Sequence, residues 1–65
     1  MNEYYAILMQ FTHGTTPCRI HLIRRFSEKL LDSAMEMGYI VQVGNNSYNE
    51  PIYAITQKGK EKRDN

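Results

Sequence analysis

Apolar residues recur along this chain at two spacings, and the change from one to the other falls at Gly38. Before it, with successive residues set about 100° apart, Phe26, Leu30, Leu31, Ala34, Met35 and Met37 fall in one arc. Glu28, Lys29, Asp32, Ser33 and Glu36 fall in the other. This pattern predicts a helix from Ser27 to Met37 with one buried side. Ser27 can cap its first amides, and Gly38 can end it in a left-handed conformation that other residues adopt only at a cost. After Gly38 the spacing becomes two. Residues 39–43 predict a strand with Ile40 and Gln42 on one face and Tyr39, Val41 and Val43 on the other; Ile52–Ile55 predict a second. The polar stretch between them, rich in Asn and Ser, is too long for a two-residue hairpin turn and predicts a projecting loop.

The first half of the chain is less regular. Residues 2–13 predict a helix. Tyr4, Ile7, Leu8 and Phe11 make one stripe, Tyr5, Leu8, Met9 and Thr12 another; Asn2 can cap the start and Gly14 the end. Several of these residues also suit strands, but the segment is long for one. Thr16 followed by Pro17 reads as the start of a second helix, residues 17–24, with Ile20, Ile23 and Leu22 turned inward. Thr56 opens a short charged tail whose last residues, 62–65, are expected to fray. The expected architecture is one α+β domain over residues 1–65: three helices, a two-stranded antiparallel wing and a C-terminal tail. It has the element order of a winged helix–turn–helix.

Particular residues strengthen that reading. Leu30, Ala34, Gly38-Tyr39-Ile40, Tyr53-Ala54-Ile55-Thr56 and Lys58-Gly59-Lys60 resemble the winged-helix regulators of the MarR and PadR type. In those families the third helix ends in a glycine, an aromatic or leucine, and an isoleucine. The second wing strand runs into a tyrosine, an aliphatic, a threonine and then a lysine–glycine pair. The resemblance covers residues 27–61 by motif and the first 26 residues by element order only. It implies a DNA-binding regulator.

Composition narrows the choice of partner. The chain has 65 residues, a net charge of +1 and a single cysteine, Cys18. So small a domain has a thin core, to which a dimer would add buried area. One cysteine cannot form an internal disulfide and fits a reducing cytoplasm. No basic-then-apolar leader is visible, and the longest apolar run, Tyr4 to Met9, is far short of the roughly 20 residues that span a bilayer. Overall charge does not announce nucleic-acid binding, but its distribution does more. Arg19, Arg24 and Arg25 come without an intervening acid, and Lys58, Lys60, Lys62 and Arg63 outnumber Glu61. Between these basic patches lies the acidic helix, where Glu28, Asp32 and Glu36 recur every fourth residue.

Two functions from different classes follow. In the first, the chain is a small cytoplasmic regulator of double-stranded DNA. Thr16, at a helix start, offers amides to a phosphate, while Arg19, Arg24, Arg25, Lys58 and Lys60 grip the backbone. Ser27, Lys29 and Ser33 reach bases, and Asn46 extends from the wing into the minor groove. In the second, the acidic face of Glu28, Asp32 and Glu36, together with Tyr48, meets a basic protein partner or another copy of the chain. An acidic stripe facing phosphates weakens binding, which keeps the second reading alive. Each residue also has a bland reading: solvated charge for the cations and acids, a plain cap for Thr16, a bland turn for Asn46. Catalysis is not expected. Cys18 and His21 have the spacing of two metal ligands on one helix, but structural zinc takes four and no second pair exists. No metal, cofactor or small-molecule substrate is implied.

Overall fold

The two-stranded ribbon and the helix before it form much as the apolar spacing predicts. The computed structural model describes residues 2–64. It is a small α+β domain of four helices and a two-stranded antiparallel sheet: α1 (Tyr5–Leu8), α2 (Arg19–Arg25), α3 (Glu28–Glu36), β1 (Ile40–Asn45), β2 (Pro51–Ile55) and α4 (Gln57–Asp64). The Ser27 hydroxyl accepts the Leu30 amide at 3.0 Å and caps α3. At the other end Gly38 sits at φ 83°, its amide bonds Met35 and the Tyr39 amide bonds Ala34. These two bonds satisfy the last carbonyls of α3 and bring Tyr39 down onto the core beside Ala34. Leu31 and Ala34 are fully buried, whereas Met37, expected on the buried arc, lies beyond the last turn and is exposed.

The strands pair as Ile40 with Ile55, Val41 with Ala54 and Gln42 with Tyr53, then slip by one residue at Val43. Ile40 is buried, but Val41, Gln42 and Val43 are all exposed: beyond Ile40 neither face of the ribbon is covered, and the bulge interrupts the alternation only after Gln42. The loop between the strands, residues 46–50, is stitched by Asn46, whose side-chain oxygen accepts the amides of Tyr48 and Glu50. Asn45 reaches across to Asn49, which adopts a left-handed conformation.

Three expectations are corrected. First, the opening helix does not run to His13. Nor does Asn2 cap it: Tyr4 holds the cap position without a side-chain bond, the Asn2 side-chain oxygen accepts the Tyr4 amide at 2.8 Å in the turn before the helix, and after Leu8 the chain tightens into a 3-10 stretch, Met9–Gly14, with a kink inside it. Thr12 is extended, and His13 and Gly14 are left-handed. The kink lets Phe11 stay in the core while the chain turns towards the sheet. The buried stripe is Tyr4, Ile7, Leu8 and Phe11.

Second, Thr16 and Pro17 do not start α2. Cys18 holds that place, in an extended conformation and without a side-chain cap. The Pro17 carbonyl accepts the Tyr53 amide at 3.1 Å, and Cys18 bridges Ile52, so residues 17–18 lie along the second edge of β2. Pro17 has no amide to donate, so its carbonyl is the group it can offer the sheet. Leu22 is fully buried and Ile20 exposed. The two stand about 200° apart on a helix, so one inward position excludes the other.

Third, the charged tail is a helix. Residues 62–64, expected to fray, form the end of α4; Asn65 lies outside the described residues. Thr56 caps α4, its hydroxyl accepting the Gly59 amide at 3.0 Å and donating back to the Gly38 and Tyr39 carbonyls. Gly59 is buried, and a Cβ there would overlap the Tyr39 carbonyl oxygen and come within 2.8 Å of Ile55. Only a glycine lets α4 cross this closely. The Asn2 amide then donates to the Lys62 carbonyl at 3.1 Å, tying the chain's start to its last helix. The core is a single cluster of Tyr4, Ile7, Leu8, Phe11, Leu22, Leu31, Ala34, Tyr39, Ile40 and Tyr53. Tyr4 meets the Tyr39 ring edge-on, with centroids 5.0 Å apart. Among the described residues no helix is long and apolar enough to cross a membrane.

Candidate functional site

The corner between α2 and α3 gathers most of the polar side chains singled out in the sequence, and Arg19 organises it. As the first residue of α2 it lies beside β2 on one side and the first two turns of α3 on the other. One guanidinium nitrogen donates to the Tyr53 hydroxyl at 3.1 Å. The other lies 3.2 Å from the Glu28 carboxylate and 3.1 Å from that of Asp32. Bonding to the Tyr53 hydroxyl, followed by the two carboxylates, outweighs desolvation and raises the arginine pKa above its already high ordinary value. The side chain stays charged at every ordinary pH.

Arg19, expected to grip a phosphate, has its guanidinium engaged within the domain by Tyr53, Glu28 and Asp32. The acidic stripe changes with it. Glu28 and Asp32 share one arginine, and only Glu36 is left exposed without an ion pair among the described residues. The two pairs are solvent-facing and contribute little to stability, of order 0.2–1 kcal/mol each. Their effect is on the local field, where one positive charge stands against two negative ones.

Around this hub the other candidates separate. Arg24 and Arg25 end α2, Lys29 lies in the first turn of α3, and all three are exposed with no ion pair among the described residues. A shallow hollow of about 530 Å³ beside the turn is lined by Glu3, Tyr4, Ser27, Lys29, Leu30 and Ser33. Ser27 spends its oxygen on the cap. Ser33, expected to face outward, is half-buried and shares a 2.6 Å hydrogen bond with the Tyr4 hydroxyl. Its hydroxyl, expected to reach a base, is engaged by Tyr4.

Asn46 is likewise committed to the wing turn through its oxygen. Tyr48, two residues on, is 85% exposed and holds its aromatic ring in solvent on the loop between the strands. Lys58 is exposed, but its ammonium stands 5.7 Å from the Tyr39 ring centroid, in the range of a cation–π contact. Lys60 opens onto a separate groove of about 440 Å³ with Phe11, His13, Gly14, Thr15, Ala54, Ile55 and Arg63. Thr16 is exposed, two residues before the Cys18 cap of α2.

The structure thus brings Arg24, Arg25, Ser27 and Lys29 together at one corner and places Lys58 and Lys60 on α4. Tyr53, which fixes Arg19, escaped the sequence reading because a tyrosine in a strand gives no sign of where its hydroxyl ends. Cys18 is half-buried and His21 exposed. Among the described residues no three His, Cys, Asp or Glu side chains converge as metal ligands, and no buried side-chain polar atom lacks a hydrogen-bond partner. No known family, curated protein or solved structure matches the chain.

Proposed function

We propose that the chain is a minimal winged helix–turn–helix that binds double-stranded DNA as a small regulator. α3 would present its exposed side to a groove, with Arg24, Arg25 and Lys29 on the phosphates. The observation that carries this reading is the Arg19 clamp. It sets a fixed positive charge against Glu28 and Asp32, and it leaves three unpaired cations around the turn that a helix–turn–helix lays along a duplex. Pro17 and Cys18 lie along the far edge of β2, and the Asn46-stitched loop would serve as the wing. α3, with nine residues, is about 13 Å long, enough to lie in a major groove.

A titration of a mixed-sequence duplex at several salt concentrations tests this. Affinity should fall with a log–log slope of about 0.9 per phosphate neutralised, and R24Q/R25Q should flatten that slope by roughly 2 while weakening every sequence alike. An unchanged slope, or no binding at low salt, would overturn the proposal. The second reading, a protein-binding winged helix, is favoured by the exposed ring of Tyr48 and the unpaired Glu36. It predicts that Y48A or E36Q leaves duplex binding intact and weakens capture of a basic partner.

A further inference from the structure

The two edges of the sheet are treated differently. β2 is flanked on its far side by residues 17–18, whereas the outer edge of β1 has no neighbour among the described residues. The hydrogen bonds around β2 fix which β1 groups face that open edge. In an extended strand the N–H and C=O of one residue point to the same side, and the side alternates along the chain. The Tyr53 amide points away from β1, to Pro17; the Thr56 amide points towards β1's side, to the Tyr39 carbonyl. Gln42 stands opposite Tyr53. The Gln42–Tyr53 pair is therefore the non-bonded kind, and the Gln42 N–H and C=O project from the free edge.

Natural proteins guard such an edge with charge, proline or a bulge. β1, Ile-Val-Gln-Val-Gly-Asn, carries no charge, and its bulge begins only after Gln42. The sequence is also symmetric about that residue, with Val41 before it and Val43 after. Both valines are about half exposed, at 49% and 52%.

We propose that β1 pairs edge to edge with β1 of a second copy, antiparallel and centred on Gln42, joining two ribbons into one four-stranded sheet. A two-fold axis through Gln42 lets each Gln42 amide donate to the other's carbonyl. It sets Val41 of each copy across from Val43 of the other, so apolar meets apolar and no like charges face. The bulge limits the pairing to a few residues, so the dimer is weak, with a dissociation constant on the order of 100 µM. The interface does not depend on the DNA reading, and its test measures mass, not binding to a duplex.

Sedimentation equilibrium of the full chain up to roughly 1 mM, ten times the expected dissociation constant, reads the wild type and two double variants. V41K/V43K places like charges opposite each other twice and should weaken the dimer at least tenfold. V41K/V43E carries the same first change but places opposite charges across the axis, and should recover most of the loss. Circular dichroism melts of both variants at low concentration check that the monomer fold persists; the half-exposed positions should tolerate the changes. A wild type that stays monomeric throughout, or a V41K/V43K variant that dimerises as well as wild type, overturns the proposal. So does a V41K/V43E variant no better than V41K/V43K, because the register would then be wrong.

Discussion

Two side chains show how far a single residue sets this structure. Gly59 lies inside α4, where glycine normally costs about 1 kcal/mol relative to alanine. An exposed helix would gain by the change; here the new methyl would overlap the Tyr39 carbonyl oxygen, which the Thr56 amide and hydroxyl hold in place. Backbone cannot move aside as a flexible side chain can, so the overlap outweighs the helix propensity. G59A should lose at least about 2 kcal/mol, a fall in melting temperature of roughly 8 °C or more, measured by thermal circular dichroism. An unchanged or higher melting temperature would mean that α4 does not pack on Tyr39. Arg19 makes the complementary case. Its ion pairs are solvent-facing, but the Tyr53 hydroxyl it satisfies belongs to a residue only 2% exposed. Removing the guanidinium strands that hydroxyl at about 1–3 kcal/mol, more than both surface pairs are expected to supply. R19M should therefore destabilise by about 2 kcal/mol, and Y53F in the R19M background should restore most of it, because both polar partners are then gone. A urea denaturation cycle of the four proteins separates the hydroxyl from the carboxylates; no recovery would put the cost on Glu28 and Asp32 instead.

At the level of elements, stability and legibility divide along the same line. α3, β1 and β2 were readable because each has an apolar face of fixed period and a chemical stop: Ser27 and Gly38 at the ends of α3, the asparagines at the wing. α4 was not readable by that signal. It is polar all round, only Gly59 is buried, and it docks through backbone and cap, not through a greasy stripe. Thr56 was the available cue, a cap residue followed by good helix formers. The α2 boundary failed for the opposite reason. Thr16 and Pro17 make a good local helix start, but the unpaired edge of β2 captured them, and a long-range pairing is invisible to local pattern. The candidate site was legible in part. The sequence marked Arg24, Arg25 and Lys29 and the acidic spacing, yet could not show that Arg19 turns inward or that Ser33 packs on Tyr4. Because α4 depends on its cap, T56V should cost about 1–2 kcal/mol and speed amide exchange first at Gly59 and Lys60, followed by NMR. Uniform acceleration across α3 and the sheet would instead mean that α4 and the rest unfold as one unit.

The molecule as a whole is compact, with a radius of gyration of 10.8 Å against about 11 Å expected for a packed chain of its length. Its net charge of +1 gives little long-range attraction to a polyanion, so duplex binding must come from where the charges sit. In the DNA reading α3 is the element nearest the phosphates and still carries Glu28, Asp32 and Glu36 against Lys29, with Arg19 supplying one further positive charge. Replacing all three acids with E28Q/D32N/E36Q takes the chain from +1 to +4 without touching a core residue, since each is exposed. If α3 faces the duplex, removing three repelling charges within a Debye length should raise affinity at least tenfold at about 10 mM salt, and the gain should shrink towards nothing near 0.5 M. If the corner binds through Arg24 and Arg25 alone with α3 turned to solvent, the gain should be small and, per charge removed, should not exceed that of E61Q/D64N, which takes two negative charges off α4. Measuring both variants by fluorescence anisotropy against one labelled duplex separates the orientations. A larger gain from the α4 variant would move the contact surface to the C-terminal helix and its lysines.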